Sequence, residues 1–217
     1  MRAAIFSGGT LDEPFVKSYL KEYKPDCILA ADRGLEFCHR NRIRPDIILG
    51  DFDSIDPEVI RTYEEDGGIP IRRFNPVKDT TDTAIAMEQA AKMGAGEICF
   101  FGATGTRLDH TLSNIYNLYL LTERGIRGQI VDACNRITLP AEKEILLKKE
   151  EQFGKYISCF PFGREVRGLT LEGFRYPLKE YTLTLGDGGL SVSNEILGDP
   201  ARISYREGRL ILVESRD

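Results

Sequence analysis

Tryptophan is absent from this 217-residue chain, and histidine occurs only twice, at His39 and His110. Two imidazoles and no C-x-x-C give no support to a zinc site. The cysteines, Cys27, Cys38, Cys99, Cys134 and Cys159, are odd in number and lie mostly in apolar surroundings. They read as buried free thiols in a reducing compartment. No signal peptide precedes the first strand and no apolar stretch is long enough to span a bilayer, so a cytoplasmic protein with no membrane partner is expected. Long runs of one charge are also missing. The formal net charge is 29 − 34 = −5, which argues against nucleic acid as a partner, because phosphate backbones select basic surfaces. An anionic substrate then needs locally placed positive charge. Neither a Walker lysine loop nor a protein-kinase motif set occurs.

What is present is a chain long enough for one large domain or two small ones. Residues 1–133 alternate strand and helix six times, which predicts a doubly wound, mostly parallel sheet with flanking helices. Its strands are expected at Arg2–Phe6, Cys27–Ala31, Ile47–Leu49, 69–74, 97–101 and 129–133. The last helix, up to about Arg124, reads as amphipathic through Leu112, Ile115 and Tyr119. From Cys134 onward no helical period survives. Short alternating runs broken by Gly, Pro and Asp predict a small antiparallel β-sandwich over 134–217.

Polar residues collect at the strand ends. Ile47-Ile48-Leu49 runs into Gly50-Asp51-Phe52-Asp53-Ser54, and carboxyl ends of such strands are where open α/β sheets bind ligands. Asp51 and Asp53 are spaced to face one cation, and Mg²⁺ is commonly held by one or two carboxylates plus substrate phosphates. The competing reading, a helix cap, suits Asp56 better, with Pro57 behind it and Ile55 and Ile60 as a hydrophobic staple. Gly8-Gly9 after the first strand reads as a tight turn or as a close backbone approach to phosphate or ribose. Asp32 suits either a ribose or the cap of the next helix. Lys78, Asp79, Thr80, Thr81 and Asp82 gather at a helix start, where the dipole favours anions. Lys78 can meet a phosphate there. Asp82 can bind metal or accept a proton, and Thr80 or Thr81 can cap. Arg107 in a glycine-rich loop can clamp phosphate oxygens. Asp109-His110 follows it as a cap pair or as part of a site. Gly188 to Glu195 reads as a hairpin turn or as a hydroxyl and amide cluster for a heterocycle.

Together these groups suggest nucleotide-dependent phosphoryl-type transfer by positioning and charge neutralisation. The chain resembles the thiamine pyrophosphokinase family through four pieces in order: Gly50-Asp51-Phe52-Asp53-Ser54, Lys78-Asp79-Thr80-Thr81-Asp82, Gly105-Thr106-Arg107-Leu108-Asp109-His110 and Ser191-Val192-Ser193-Asn194-Glu195. It departs at Thr106, where a second glycine is expected, and at Arg33, where the family often has glycine. The resemblance implies a homodimer with thiamine bound between subunits, and transfer of the pyrophosphoryl group of ATP to the thiamine hydroxyl, with AMP released. It implies Mg²⁺ on Asp51, Asp53 and Asp82, with Lys78 also catalytic. Gly9, Asp32, Ser54, Asp79, Thr81, Arg107, Asp109 and His110 are then expected around the nucleotide, and Ser191, Ser193 and Asn194 at thiamine. Another small heterocyclic acceptor, nucleotide hydrolysis, and a non-catalytic thiamine or nucleotide sensor are the rival readings.

Overall fold

The computed structural model describes residues 1–74 and 80–217. It divides into two compact units, Met1–Ala133 and Cys134–Asp217. The first contains β1 (Arg2–Phe6), α1 (Glu13–Tyr23), β2 (Cys27–Ala31), α2 (Gly34–Asn41), β3 (Ile47–Gly50), α3 (Pro57–Asp66), β4 (Ile71–Arg73), α4 (Asp82–Lys92), β5 (Glu97–Phe101), α5 (Leu108–Glu123) and β6 (Arg127–Val131). The strands run in the order β6-β5-β1-β2-β3-β4, and each neighbouring pair is parallel. Residues 3–6 and 98–101 are wholly buried, as strands covered on both faces must be, and this explains their uninterrupted apolar runs. The Phe6 ring stacks on Phe37 and Phe101 at centroid distances of 5.9 and 5.1 Å.

Local chemistry sets the helix ends. The Asp56 side chain accepts from Glu58 N at 2.9 Å with Pro57 behind it. Ile55 and Ile60 are buried in one cluster, so the cap and staple read from the sequence are both present. Gly67 closes the helix in the left-handed conformation that glycine adopts without a Cβ penalty.

Three details differ from expectation. β4 is shorter because Pro70, with no N–H to give, precedes it; its carbonyl accepts from Ile48 N at 3.0 Å. β6 starts two residues early and runs through Gly128, where a Cβ would sit 2.8 and 2.9 Å from Leu121 and Leu118 side-chain atoms. The glycine therefore seats α5 against the sheet rather than ending the strand. The buried residues of α5 are Asn114, Asn117, Leu118 and Leu121. The face expected to be buried is not: Leu112 is 54% exposed, and Ile115 and Tyr119 are half-buried.

The second unit contains β7 (Asn135–Thr138), β8 (Glu144–Leu147), β9 (Tyr156–Pro161), β10 (Glu165–Glu172), β11 (Leu178–Thr184), β12 (Asn194–Glu195), β13 (Ala201–Ser204) and β14 (Leu210–Ser215). β12-β9-β14-β7 and β11-β10-β13-β8 form antiparallel sheets. Ile157, Cys159, Leu210 and Leu212 of the first meet Val166, Leu169, Leu183 and Ile203 of the second in one core. This is a sandwich, and β13 and β14 bury alternate residues. Its buried Glu214 is paired with Arg136 through two contacts of 2.7 and 2.8 Å and also accepts from Phe153 N. All the cysteines are free thiols; burial pushes Cys27 up to about 11, and Cys38 and Cys159 up to about 12. Among the described residues, no helix is long and apolar enough to cross a membrane.

Candidate active site

The chain leaves β1 toward β2, β3 and β4 on one side and later returns to place β5 and β6 on the other. Open sheets form a crevice at such a switch point. Here it is a cleft of about 360 Å³, walled by the loops after β1, β2 and β5 and by the start of α4.

The end of β3 is built to gather acids. Phe52 stands between Asp51 and Asp53 with φ +62°, a left-handed conformation that is costly for a bulky residue. Burial of its ring in the main core and the Arg73 guanidinium 5.0 Å from the ring centroid hold it there. The turn brings the flanking carboxylates together: Asp53 N donates to Asp51 Oδ1 at 3.2 Å. Hydrogen bonding to Asp51 and its negative charge hold the Asp53 carboxyl above its ordinary range.

Asp32 joins this group from the end of β2. It is half-buried, has φ +45°, and does not cap α2, whose N-cap residue is Arg33 without a side-chain cap bond. The sequence left a ribose contact or a cap open, and the structure removes the cap. A Cβ on Gly50 would lie 2.0 Å from Asp32 Oδ1, so the glycine is what admits this carboxyl. Asp32 Oδ1 is buried without a hydrogen-bond partner. Burial, a hydrogen bond to Asp82, and the charges of Asp82 and Asp51 raise Asp32 from 3.8 to about 7, partly opposed by the Phe52 N–H.

Asp82 is the first residue of α4, behind a Thr81 cap whose hydroxyl accepts from Ala84 N at 3.2 Å. Asp82, Asp32, Thr81 and Ser54 line the cleft; Asp51 and Asp53 are not part of its walls. Hard carboxylate oxygens that destabilise one another, one of them orphaned, are a donor set suited to Mg²⁺. Among the described residues, no three acidic, histidine or cysteine side chains are already closed into a metal-binding group. Lys78 and Asp79 lie outside the described residues.

In the loops after β1 and β5 several polar groups pair within the chain. The Gly9 N–H is taken by Gly102 O at 2.8 Å and is not turned to a ligand. A Cβ there would sit 2.2 Å from Thr104 O, so Gly9 lets two loops close on each other beside the cleft. The exposed Arg107 grips Asp109 through contacts of 2.6 and 3.3 Å, which holds the Asp109 carboxyl below its usual range. Asp109 makes this pair instead of a cap, since α5 starts after Arg107 with no side-chain cap bond. Arg107 and His110 both line the cleft, as do Thr106 and Arg33, the two departures from the family pattern.

In the second unit, two of the three expected substrate residues serve the fold. Ser191 is buried and its hydroxyl donates to Cys159 O. Asn194 is buried, donates to Tyr176 O at 2.7 Å and accepts from Tyr176 N at 2.9 Å, so its amide stands in for a strand neighbour. Ser193 is exposed; its N–H donates to Ser158 Oγ at 3.0 Å.

Ser7, Thr83, Thr104 and Asn114 line the cleft and were not among the expected site residues. Thr83 donates its hydroxyl to the buried Ser7 at 2.9 Å, Thr104 donates to Asp132 at 2.8 Å, and Asn114 donates to Ala103 O at 2.8 Å. Ser7 directly precedes the Gly8-Gly9 pair and Thr83 directly follows Asp82; that adjacency was the available signal.

Residues 18–130 match the family model described as thiamin pyrophosphokinase, catalytic domain. Residues 142–210 match that of its vitamin B1 binding domain. The chain is 34% identical over 189 residues to thiamine pyrophosphokinase of Bacillus subtilis, covering 87% of each. The crystal structure of thiamine pyrophosphokinase from Bacillus subtilis superposes with a TM-score of 0.88 at 30% identity, over the whole of both chains. The thiamin pyrophosphokinase from Candida albicans has the same fold, with a TM-score of 0.79 at 19% identity over 99% of this chain and 88% of that one.

Proposed function

The chain belongs to the thiamine pyrophosphokinase family, enzymes that transfer the pyrophosphoryl group of ATP to thiamine, and from that premise we propose how its own residues carry out the transfer. The observation that carries the reading is the set of four crowded carboxyls, Asp32, Asp51, Asp53 and Asp82, beside an open cleft at the sheet's switch point. Repulsion of this kind is relieved by a cation. Asp51, Asp53 and Asp82 hold Mg²⁺ in this reading. When bound, the metal supplies charge neutralisation on the polyphosphate.

The unit Met1–Ala133 is the nucleotide-binding and catalytic part, and Cys134–Asp217 the thiamine-binding part. The triphosphate lies against the Gly102–Arg107 loop and the N-terminus of α4, whose first N–H groups and dipole favour anions. Arg107 turns from Asp109 to a phosphate oxygen, an exchange made easy because both partners are solvent-exposed. Lys78 takes up charge on the same group. The thiamine hydroxyl attacks the β-phosphorus in line, AMP leaves, and Asp82 receives the hydroxyl proton.

Thiamine lies between two copies of the chain in this reading. An exposed apolar stripe on α5, with Leu108, Leu112, Tyr116 and Leu120 at intervals of four, supports a second copy as partner. Light scattering that gives only monomer mass would remove that part.

The direct test is incubation with Mg²⁺, ATP and thiamine, followed by chromatographic separation. Thiamine diphosphate and AMP in equal amounts are expected. ADP in place of AMP would exclude attack at the β-phosphorus.

A further inference from the structure

A polyphosphate in this cleft lies close to crowded carboxyls, so the cleft needs positive charge of its own. Among the described residues that line it, the permanently charged cations are Arg33 and Arg107. Arg33 follows β2, Arg107 follows β5, and β1 lies between those two strands. The two arginines therefore come from opposite sides of the switch point. Two glycines bring Arg33 there. A Cβ on Gly34 would lie 2.1 Å from Phe6 O, so this glycine lets α2 begin directly against the end of β1. A Cβ on Gly8 would lie 3.2 Å from Arg33 Cβ, so the bare turn after β1 leaves room for the arginine stem. The Arg33 backbone is helical, with φ −58° and ψ −15°, and its carbonyl accepts from Glu36 N at 3.1 Å. The N-terminal dipole of α2 disfavours positive charge at this place, so helix electrostatics do not account for the arginine. An ion pair does not account for it either. The side chain is exposed, and Glu36 stands 4.0 Å away, at the outer limit of such contacts. The Glu36 carboxylate is also engaged elsewhere, accepting from Asp56 N at 3.0 Å. Arg107, by contrast, must first leave a 2.6 Å contact with Asp109.

We propose that Arg33 is a second phosphate-binding arginine of this cleft, taking oxygens of the nucleotide's polyphosphate in its planar fork from the side opposite Arg107. This rests on the reading of the cleft as the polyphosphate site. A guanidinium offers parallel N–H groups to phosphate oxygens, and Arg33 gives up no close partner to do so. Glycine, which the family often has at this place, could make no such contact. Hydrogen bonds to charged groups of this kind are typically worth about ten- to a hundredfold in binding.

The test measures, by calorimetry on the full chain without thiamine, the binding of MgATP and of inorganic tripolyphosphate with Mg²⁺. Arg33→Met keeps the apolar stem and removes the charge. It weakens both probes about ten- to a hundredfold. Arg33→Lys keeps the charge without the fork and recovers part of that loss. In turnover, Arg33→Met raises the KM for ATP by the same factor, while kcat and the KM for thiamine stay within about threefold. The melting midpoint of both variants stays level, because an exposed and distant ion pair contributes little. An Arg33→Met protein that binds both probes as the unmodified chain does would overturn the proposal. So would a loss shared equally by Arg33→Met and Arg33→Lys together with a lower melting midpoint, since the arginine would then be holding the shape of the cleft. If the unmodified chain binds both probes but makes no AMP or thiamine diphosphate, the transfer reading fails by itself, and weakened binding by Arg33→Met still supports the role of Arg33. An unmodified chain that binds neither probe overturns the proposal together with the polyphosphate reading.

Discussion

At the ends of β2 and β3 carboxyl groups crowd together, one oxygen is buried without a partner, and two non-glycine residues hold left-handed backbones. Between β12 and β9 the polar groups are instead satisfied: Ser191 bonds Cys159, Asn194 bonds Tyr176 twice, and Ser158 accepts from Ser193 N. Both stretches were picked from the sequence as binding residues for similar reasons. The first stores unfavourable contacts that a cation can relieve, whereas the second has already answered its own needs. An unsatisfied polar cluster points to a missing ligand more strongly than a polar cluster as such.

The largest expected effect tests the first region. Asp53→Ala should lower kcat on the order of 10²–10³-fold, as loss of a positioned charge contact does. Its melting temperature should stay level or rise, because a repelled carboxyl is removed. A fall in stability with turnover kept would reverse the assignment.

The next effect tests the second region. Asn194→Ala leaves the Tyr176 N–H and C=O without partners and should cost about 1–3 kcal/mol in urea unfolding. If stability holds and the KM for thiamine rises instead, Asn194 belongs with the ligand and the contrast breaks down. Ser191→Ala, which removes one hydrogen bond, should cost about 1 kcal/mol by the same measurement.

The smallest effect is a difference in sign with pH. The folded protein raises Asp32 from 3.8 to about 7, so its contribution to stability is full below about pH 4 and is lost as pH rises through about 7. Asp32→Asn should therefore gain stability over the unmodified chain more at pH 8 than at pH 5. Asp187 is opposite: hydrogen bonds from the Thr184 hydroxyl and N–H and from Tyr181 hold it below its ordinary value. Its contribution is present above that ordinary value and fades as the pH drops through the folded one. Asp187→Asn should lose stability at neutral pH and approach the unmodified chain in acid. Equal slopes for the two pairs would erase the distinction.

The alternation of strand and helix was legible because strands buried on both faces must be apolar throughout, and the sandwich because its strands alternate. The Asp56 cap was legible because its partners are adjacent in sequence. α5 was misread because Asn114 and Asn117 are buried; Asn114 satisfies its amide on Ala103 O, a partner that only the fold supplies. Leu112 was read as part of the helix's apolar face, and that position is exposed. β12 was missed because two residues carry no period. Asp32 could not be separated from a helix cap because its meaning depends on Gly50, eighteen positions away. Gly9 was left open between a tight turn and a backbone approach to phosphate, and its N–H goes to Gly102 O, a partner supplied by a loop far along the chain.

The left-handed Phe52 has a consequence for anyone redesigning this chain. A stability-guided search would write glycine there, since glycine adopts φ +62° without strain. That choice would delete the ring that is buried in the core and lies against Arg73, and free the turn to sample other shapes. The redesigned protein would look more comfortable in its backbone torsions and would have lost the hinge pin of its acid pair.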